Sequence, residues 1–176
     1  MVLEEHPIKH LPGYFANSVG GIRGPAGYLQ QYETKSGHLL VNINYRTYCV
    51  HRLVAYAFGI PNPCPARFTQ IDHINRNPWD NRPANLRWLS HQLNGMNNDA
   101  LNVSWVKRWR KWKAEVRANG KNTYLGFHKT FHAAYQKAQL FKRAEFQRIY
   151  QKHINEAAGA CPGLLRGRRD DLPATA

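Results

Sequence analysis

Asp72 and His73 place a carboxylate directly beside an imidazole, and amide side chains follow at Asn81, Asn85 and Asn94. Carboxylate and amide oxygens are the ligands that hard divalent cations such as Mg²⁺ prefer. An imidazole can act near neutral pH as the general base that takes a proton from water. These residue types indicate a site in which one cation and one base activate water for hydrolysis.

The elements that would position these residues are predicted from periodicity and turn formers. Residues 68–74 fit a strand, residues 75–85 a loop dense in turn-forming residues, and residues 86–89 a second strand. Ser90 is suited to cap the N-terminus of a helix that carries Asn94. The prediction is a compact ββα unit that brings the base and the amides together.

The segments before this unit are predicted to support it. Residues 1–48 consist of short apolar stretches separated by glycines, which indicates a small β-rich module. A scaffold is the expected role of this module, and contact with DNA is the alternative. Residues 50–58 carry apolar side chains at helical spacing before a proline-rich linker. We therefore predict a β-rich module at 1–48 and a ββα core at 49–100.

The region after the core changes composition sharply. Residues 102–153 contain thirteen Lys and Arg residues but only two Glu residues, a net charge of +11. Such a concentration of positive charge is expected of a surface that binds nucleic acid. Three strands are predicted here, joined in part by an Asn119–Gly120 hairpin turn and followed by a helix from Phe131. The strands are expected at residues 103–107, 112–117 and 123–127.

These segments together predict an α+β protein with domains at 1–48, 49–100 and 101–154 and a flexible tail at 155–176. The whole chain of 176 residues carries a formal charge of +14, so a polyanionic partner is expected. Its three cysteines lack the spacing of a disulfide framework or a zinc site. No segment is apolar enough to be predicted as a membrane span or a signal peptide, and a soluble, cytoplasmic protein is expected.

The sequence of the core resembles the HNH endonuclease family. The resemblance rests on the VHRLVA helix, the DHIN segment, the NRPANLRWLS run and Asn94, and it points to the subclass whose last motif residue is asparagine. The YFANSVGGIRG segment is similar to a module that precedes this core in phage and intron-encoded homing endonucleases.

The resemblance implies a role for each candidate residue. His73 would be the general base, and Asp72 and Asn94 would hold one Mg²⁺ or Mn²⁺, without a structural zinc. Asn85 would orient His73 or brace the loop. Supporting roles are expected for three further residues: His51, Asn81 and His91. The remaining histidines, His38 among them, have no partner pattern and are expected at the surface or in packing.

The basic region resembles the ethylene-response-factor type of DNA-binding domain, through the pattern NVSW…KWKAEVRANGK…YLGF…AAYQKA. In that family a three-stranded sheet enters the major groove. The residues that the resemblance implies as DNA contacts are Trp105, Lys107, Arg108, Arg110, Lys113, Glu115, Arg117 and Lys121. Trp112 and Tyr124 could pack between sheet and helix, and the pattern alone does not assign the two faces.

The sequence leads to the hypothesis of a site-directed DNA endonuclease, of the homing type, that nicks or cleaves double-stranded DNA. Two alternatives stay open: a DNA-binding regulator with an inert nuclease core, and a protein that binds or cuts RNA. The expected protein is a monomer, in the cytoplasm of a bacterial host if a phage encodes it. No membrane partner is expected.

Overall fold

The computed structural model describes residues 3–98, 100–118 and 120–160, with side chains to residue 156. The described residues fall into two compact units, one that ends with Asn98 and one that begins with Ala100. Both units combine antiparallel strands with helices. The predicted α+β class is confirmed.

The first unit begins with two small antiparallel sheets. The second of them has a two-residue turn at Asn44 and Tyr45, both in the left-handed region with φ of 48° and 63°. Positive φ at both positions is what a tight hairpin turn requires, and Asn tolerates it better than most residues. The four strands of the first sheet are β1 Glu5–Pro7, β2 Phe15–Asn17, β3 Ile22–Gly24 and β4 Gly27–Tyr28. The three strands of the second are β5 Tyr32–Glu33, β6 Leu39–Ile43 and β7 Arg46–Cys49.

Helix α1, Val50–Ala57, follows β7 directly and forms the centre of this unit. Its apolar face is fully buried at Val50, Leu53 and Val54, and it packs against β2, β6 and β7. The same helix also contacts the next strand pair. The helical spacing at 50–58 therefore predicted both the helix and the face that it buries.

That strand pair consists of β8, Gln70–His73, and β9, Leu86–Leu89, which run antiparallel. Strand β8 is shorter than the predicted 68–74, because Phe68 belongs to a turn that precedes the strand. The Phe68 amide donates to the Cys64 carbonyl at 2.7 Å, and the Phe68 side chain is buried. Helix α2, His91–Met96, follows β9. The predicted cap is present, since Ser90 Oγ accepts a hydrogen bond from the Leu93 amide at 3.3 Å.

The second unit is a three-stranded antiparallel sheet packed on one long helix. Its core consists of Ala114, Val116, Ala134 and Ala138, with Val103, Trp112, Leu125 and Phe141 packed against them. A 3₁₀ turn at Lys107–Trp109 ends the first strand earlier than predicted. The elements are β10 Val103–Val106, β11 Lys111–Ala118, β12 Lys121–His128 and α3 Phe131–Ala160.

The end of α3 differs from the prediction. Residues 155–160 were expected in a flexible tail but continue the helix to Ala160, where alanines supply high helix propensity. Residues 161–176 of the predicted tail lie outside the described part of the chain, and so does Asn119 of the predicted hairpin turn. Of the helices that the structure describes, none is both long and apolar enough to cross a membrane.

Candidate active site

Strand β8 ends with the adjacent acid and base, and both are buried. Asp72 and His73 are each 5% exposed. In the antiparallel register Asp72 lies opposite Arg87 and His73 opposite Leu86. Because successive side chains of a strand point to opposite faces, the two groups lie side by side along the chain but face different neighbours.

His73 is oriented by Asn81, which lies in the loop between β8 and β9. The His73 Nε2 and Asn81 Oδ1 atoms are 3.0 Å apart. A carboxamide oxygen can only accept, so Nε2 carries the proton and donates, and in the neutral ring the lone pair is then on Nδ1. Asn81 is 1% exposed, so its side chain is held firmly. The sequence placed Asn81 in a supporting role without naming its partner, and the structure gives it this contact with the imidazole of His73.

Asn85 braces the loop. Its Oδ1 accepts from the Asn75 amide at 3.0 Å, and its Nδ2 donates to Asn75 Oδ1 and to the Asp80 carbonyl at 2.9 and 2.8 Å. Hydrogen bonds from Arg82 lower the pKa of Asp80 to about 2, so this carboxylate stays charged at neutral pH. Asn85 was predicted either to orient His73 or to brace the loop, and its contacts are those of a residue that braces the loop. The contact with His73 is made by Asn81 instead.

Asp72 is held by two donors. Arg87 Nε donates to Asp72 Oδ2 at 2.8 Å, and Asn97 Nδ2 lies 2.9 Å from both carboxylate oxygens. The same Asn97 nitrogen lies 2.9 Å from the His73 carbonyl oxygen. Asn97 therefore ties the end of α2 to the strand that carries acid and base. Sequence reasoning missed it, although its position three residues after Asn94 places it near the same face of the helix.

Asn94 faces β8 from α2. Its Nδ2 donates to Gln70 Oε1 at 2.7 Å, and Gln70 Nε2 in turn donates to His91 Nδ1 at 3.0 Å. With its nitrogen engaged, Asn94 presents Oδ1 as an acceptor. Carboxylate and amide oxygens on neighbouring elements fit a hard cation such as Mg²⁺. Within the described residues no group of three or more His, Cys, Asp or Glu side chains is arranged to hold a metal ion.

Three imidazoles cluster at the site. The ring centroids of His38, His51 and His73 lie 5.2 to 5.8 Å apart. His51 is 7% exposed, and its Nδ1 has no hydrogen-bond partner among the described residues. Burial, with smaller contributions from His73 and His38, lowers the pKa of His51 to about 3. Burial and His73 also lower the pKa of His38. The sequence assigned His38 to the surface or to packing, but the fold places its ring beside that of His73.

Residues 48–96 match the model of the HNH endonuclease family. This HNH segment includes the acid–base pair, Asn81, Asn85 and Asn94, but it excludes His38 and Asn97. No curated protein matches the chain.

Among solved structures, the chain is similar to one described as "DNA binding and cleavage by the HNH homing endonuclease I-HmuI". The match has 26% sequence identity and a TM-score of 0.47, and it covers 53% of this chain. It covers 56% of the other chain, so the chain matches just over half of that protein's length.

Beyond the HNH segment, the second unit presents a basic and aromatic surface. Ala114, Val116 and Ala118 of β11 are buried, so the residues between them point away from α3. The strand register adds their cross-strand partners from β12 to the same surface. We call this surface the outer face, and it consists of Lys113, Glu115, Arg117, Asn122, Tyr124 and Phe127. Trp109 packs on it, with its ring 4.5 Å from that of Phe127.

The predicted DNA contacts lie in three places: on the outer face of the sheet, on its helix side, and in or just after the 3₁₀ turn. Lys113, Glu115 and Arg117 lie on the outer face, where Lys113 Nζ is 2.7 Å from Glu115 Oε2. Trp105 pairs with Trp112, whose ring packs against Phe131 of α3, so Trp105 lies on the helix side.

Lys121 pairs with the buried Ala118 and also lies on the helix side. Lys107 and Arg108 lie in the 3₁₀ turn before β11, and Arg110 follows it with a φ of 47°. Of the two residues whose faces the sequence left open, Tyr124 lies on the outer face and is 53% exposed, and Trp112 lies on the helix side and is partly buried. Trp109 is 52% exposed and was not among the predicted DNA contacts, because its position on the outer face depends on the 3₁₀ turn at Lys107–Trp109.

Proposed function

We propose that the protein is a metal-dependent endonuclease that hydrolyses a phosphodiester in double-stranded DNA, with site recognition of the homing type. The observation that carries the proposal is the buried Asp72–His73 pair with its basic nitrogen selected by Asn81, inside the segment that matches the HNH endonuclease family. An imidazole with one nitrogen fixed as a donor is suited to act as a general base through the other.

In the proposed reaction, His73 Nδ1 takes a proton from the water that attacks phosphorus. The new bond joins the water oxygen to phosphorus as the bond from phosphorus to O3′ breaks. The departing O3′ takes up a proton from solvent water, which leaves a 5′ phosphate and a 3′ hydroxyl, and His73 afterwards returns its proton to solvent. The Asn81 carboxamide accepts from Nε2–H throughout and stabilises the imidazolium that forms. Asn85 keeps the intervening loop in place.

Asp72 and Asn94 are the residues that would hold one Mg²⁺ or Mn²⁺. Such a cation would stabilise negative charge on the phosphate and on the departing oxygen. Arg87 and Asn97 orient the Asp72 carboxylate from two sides, so its oxygens are placed before any ligand arrives. The oxygen-rich donor set favours these cations over zinc.

DNA binding is proposed for the second unit. The net charge of +11 in residues 102–153 provides sequence-independent attraction to phosphate, and the outer face provides Lys113 and Arg117 beside exposed aromatic rings. By contrast, residues 51–101 carry five Arg and three Asp residues, so the HNH segment has little net charge for binding DNA. The protein would act as a monomer with one active site per chain.

One observation favours a second candidate. Tyr124, Phe127 and Trp109 form a continuous row of rings on the outer face, with centroids 5.4 and 4.5 Å apart. Aromatic rings among basic residues are also suited to stacking on the bases of single strands. A protein that binds or cuts RNA therefore stays the alternative, and the substrate test must include RNA.

A plasmid-nicking assay tests the proposal. The wild-type protein should convert supercoiled plasmid to nicked circles with Mg²⁺ and should stop when the metal is chelated. His73→Ala should be inactive, whereas His132→Ala, which changes an exposed histidine of α3, should cut at the wild-type rate. Equal cutting by His73→Ala would exclude His73 as the base. Preferential cleavage of an RNA of the same sequence would favour the alternative substrate, and an inactive wild type that binds DNA would indicate a regulator.

A further inference from the structure

The hairpin between β5 and β6 presents His38 from a hydrogen-bonded turn. The Thr34 amide donates to the His38 carbonyl at 2.9 Å, and the Gly37 amide donates to the Thr34 carbonyl at 2.9 Å. Gly37 has a φ of 84°, a conformation that residues with a side chain rarely adopt. These contacts close the turn at both ends, so the backbone of His38 is fixed relative to the sheet.

Two hydroxyl groups fix the ring as well. The His38 amide donates to Thr34 Oγ1 at 3.1 Å, Thr34 Oγ1 lies 2.9 Å from Ser36 Oγ, and Ser36 Oγ lies 3.1 Å from His38 Nδ1. If Thr34 donates to Ser36 and Ser36 donates to Nδ1, each hydroxyl both accepts and donates one hydrogen bond within the turn. In that arrangement Nδ1 is the acceptor, and Nε2 of His38 carries the proton.

The His38 ring held in this way lies beside His73, the proposed general base. Its centroid is 5.8 Å from that of His73 and 5.2 Å from that of His51. His73 and His51 are buried, whereas His38 is only half-buried. Of the three rings, His38 is therefore the one most accessible to a phosphate from solvent. The charge on that phosphate grows as water attacks, and a fixed N–H donor is then most stabilising.

We propose that His38 is a catalytic residue of the hydrolysis, whose Nε2–H donates a hydrogen bond to a non-bridging oxygen of the phosphate that the water held by His73 attacks. This proposal rests on the nuclease function proposed above. His38 keeps its proton during the reaction, so the proton balance at His73 is unchanged. The β5–β6 hairpin, which lies outside the HNH segment, thereby supplies part of the active site.

Single-turnover cleavage at saturating DNA with Mg²⁺ tests this proposal. His38→Ala should lower the rate by about 100-fold, the usual effect of removing one donor to a developing oxyanion. His38→Gln should retain more activity because its amide can donate from a similar place. Ser36→Ala should give an intermediate rate, since the ring loses its anchor but keeps its donor. Lys35→Ala, an exposed change in the same turn, should cleave at the wild-type rate.

A phosphorothioate at the cleaved linkage distinguishes contact from a folding defect. Wild-type protein should discriminate between the two diastereomers, and His38→Ala should discriminate less, because the sulfur replaces the oxygen that His38 contacts. A His38→Ala protein that cleaves at the wild-type rate, while His73→Ala is inactive, would overturn the inference and leave the nuclease function standing. Unchanged discrimination in His38→Ala would also overturn it. Failure of the wild type to cleave would instead refute the proposed function.

Discussion

At the scale of single residues, the contact with Asn81 fixes which nitrogen of His73 carries the proton, and so which nitrogen would act as the proposed base. Asn81→Ala should slow cleavage on the order of 10- to 100-fold, because the imidazole loses the acceptor that fixes its tautomer. DNA affinity should change little. Asn81→Asp keeps an acceptor at the same place and should retain more activity than the alanine variant. Single-turnover rates and a filter-binding measurement check both expectations, and equal rates for the two variants would contradict the assigned role.

His51 makes folding stability depend on pH. Its pKa is about 3 in the folded protein, against an ordinary value of 6.5, so between these values the unfolded chain binds a proton that the folded chain does not. The free energy of unfolding should therefore fall as the pH drops below 6.5, by up to about 1.4 kcal/mol per pH unit.

Urea unfolding at pH 7.5 and pH 5 measures this effect. His51→Leu removes the titrating group, so its free energy of unfolding should change less between the two pH values than that of the wild type. The difference should be at most about 2 kcal/mol. Parallel curves for the two proteins would mean that His51 is protonated in the folded state as easily as in the unfolded one.

Residue types and spacing identified Asp72, His73 and Asn94 as candidates because they are adjacent in sequence or lie on a helix with a recognisable cap. Residue types and spacing could not tell the role of Asn81 from that of Asn85. The carboxamide that reaches His73 is decided by how the loop closes around Asn75 and Asp80. No sequence pattern pointed to His38, because its spatial neighbour His73 belongs to a different sheet and lies 35 residues later in the chain.

At the scale of elements, the turn between β2 and β3 supports the loop that carries Asn81. A Cβ added to Gly20 would lie 2.7 Å from Asn81 Cβ, and Gly20 has a φ of 90°. Gly27 has a similar strained φ of 118°, but no described atom lies within 4 Å of an added Cβ.

Comparison of the two glycines separates backbone strain from displacement of Asn81. Gly20→Ala should be less stable than Gly27→Ala by about 1–3 kcal/mol, because overpacking adds to the strain. Only Gly20→Ala should also slow single-turnover cleavage. Thermal unfolding and cleavage rates check this, and identical behaviour of the two variants would show that the turn does not support the loop.

The two faces of the β10–β12 sheet give a matched pair of basic residues. Arg117 lies on the outer face and Lys121 on the helix side, and both are exposed. Arg117→Ala should weaken DNA binding and reduce the slope of log K against log salt by about 0.9, the value for one phosphate contact. Lys121→Ala should have less effect on both quantities. The reverse order would place DNA on the helix side.

Local patterns predicted elements well where several features agreed. Strand β9 and the start of α2 were located correctly, because an apolar run ended at a residue that can cap a helix. The face of Trp105 could not be predicted, since it depends on the register with Trp112. The length of α3 was underestimated, because residues 155–160 lack an apolar period although they favour a helix.

At the scale of the whole molecule, one proposed site per chain has a consequence for the product. A monomer should cut one strand at a time, so nicked circles should accumulate before linear plasmid appears. Gel electrophoresis at early times and at several protein concentrations measures this order. Linear plasmid that forms at low protein concentration without a nicked intermediate would indicate a paired enzyme on DNA.

The tie between Asn97 and the Asp72–His73 strand has a consequence for the order of synthesis. The ribosome makes the chain from its N-terminus, so the three clustered histidines and Asp72 are made before Asn97. Until α2 has formed, neither Asn94 nor Asn97 can contact strand β8. A nascent chain, or a product truncated before residue 97, would carry the base without its completed surroundings. If the proposed nuclease function holds, the site would be complete only late in the synthesis of the first unit, once Asn97 has been added.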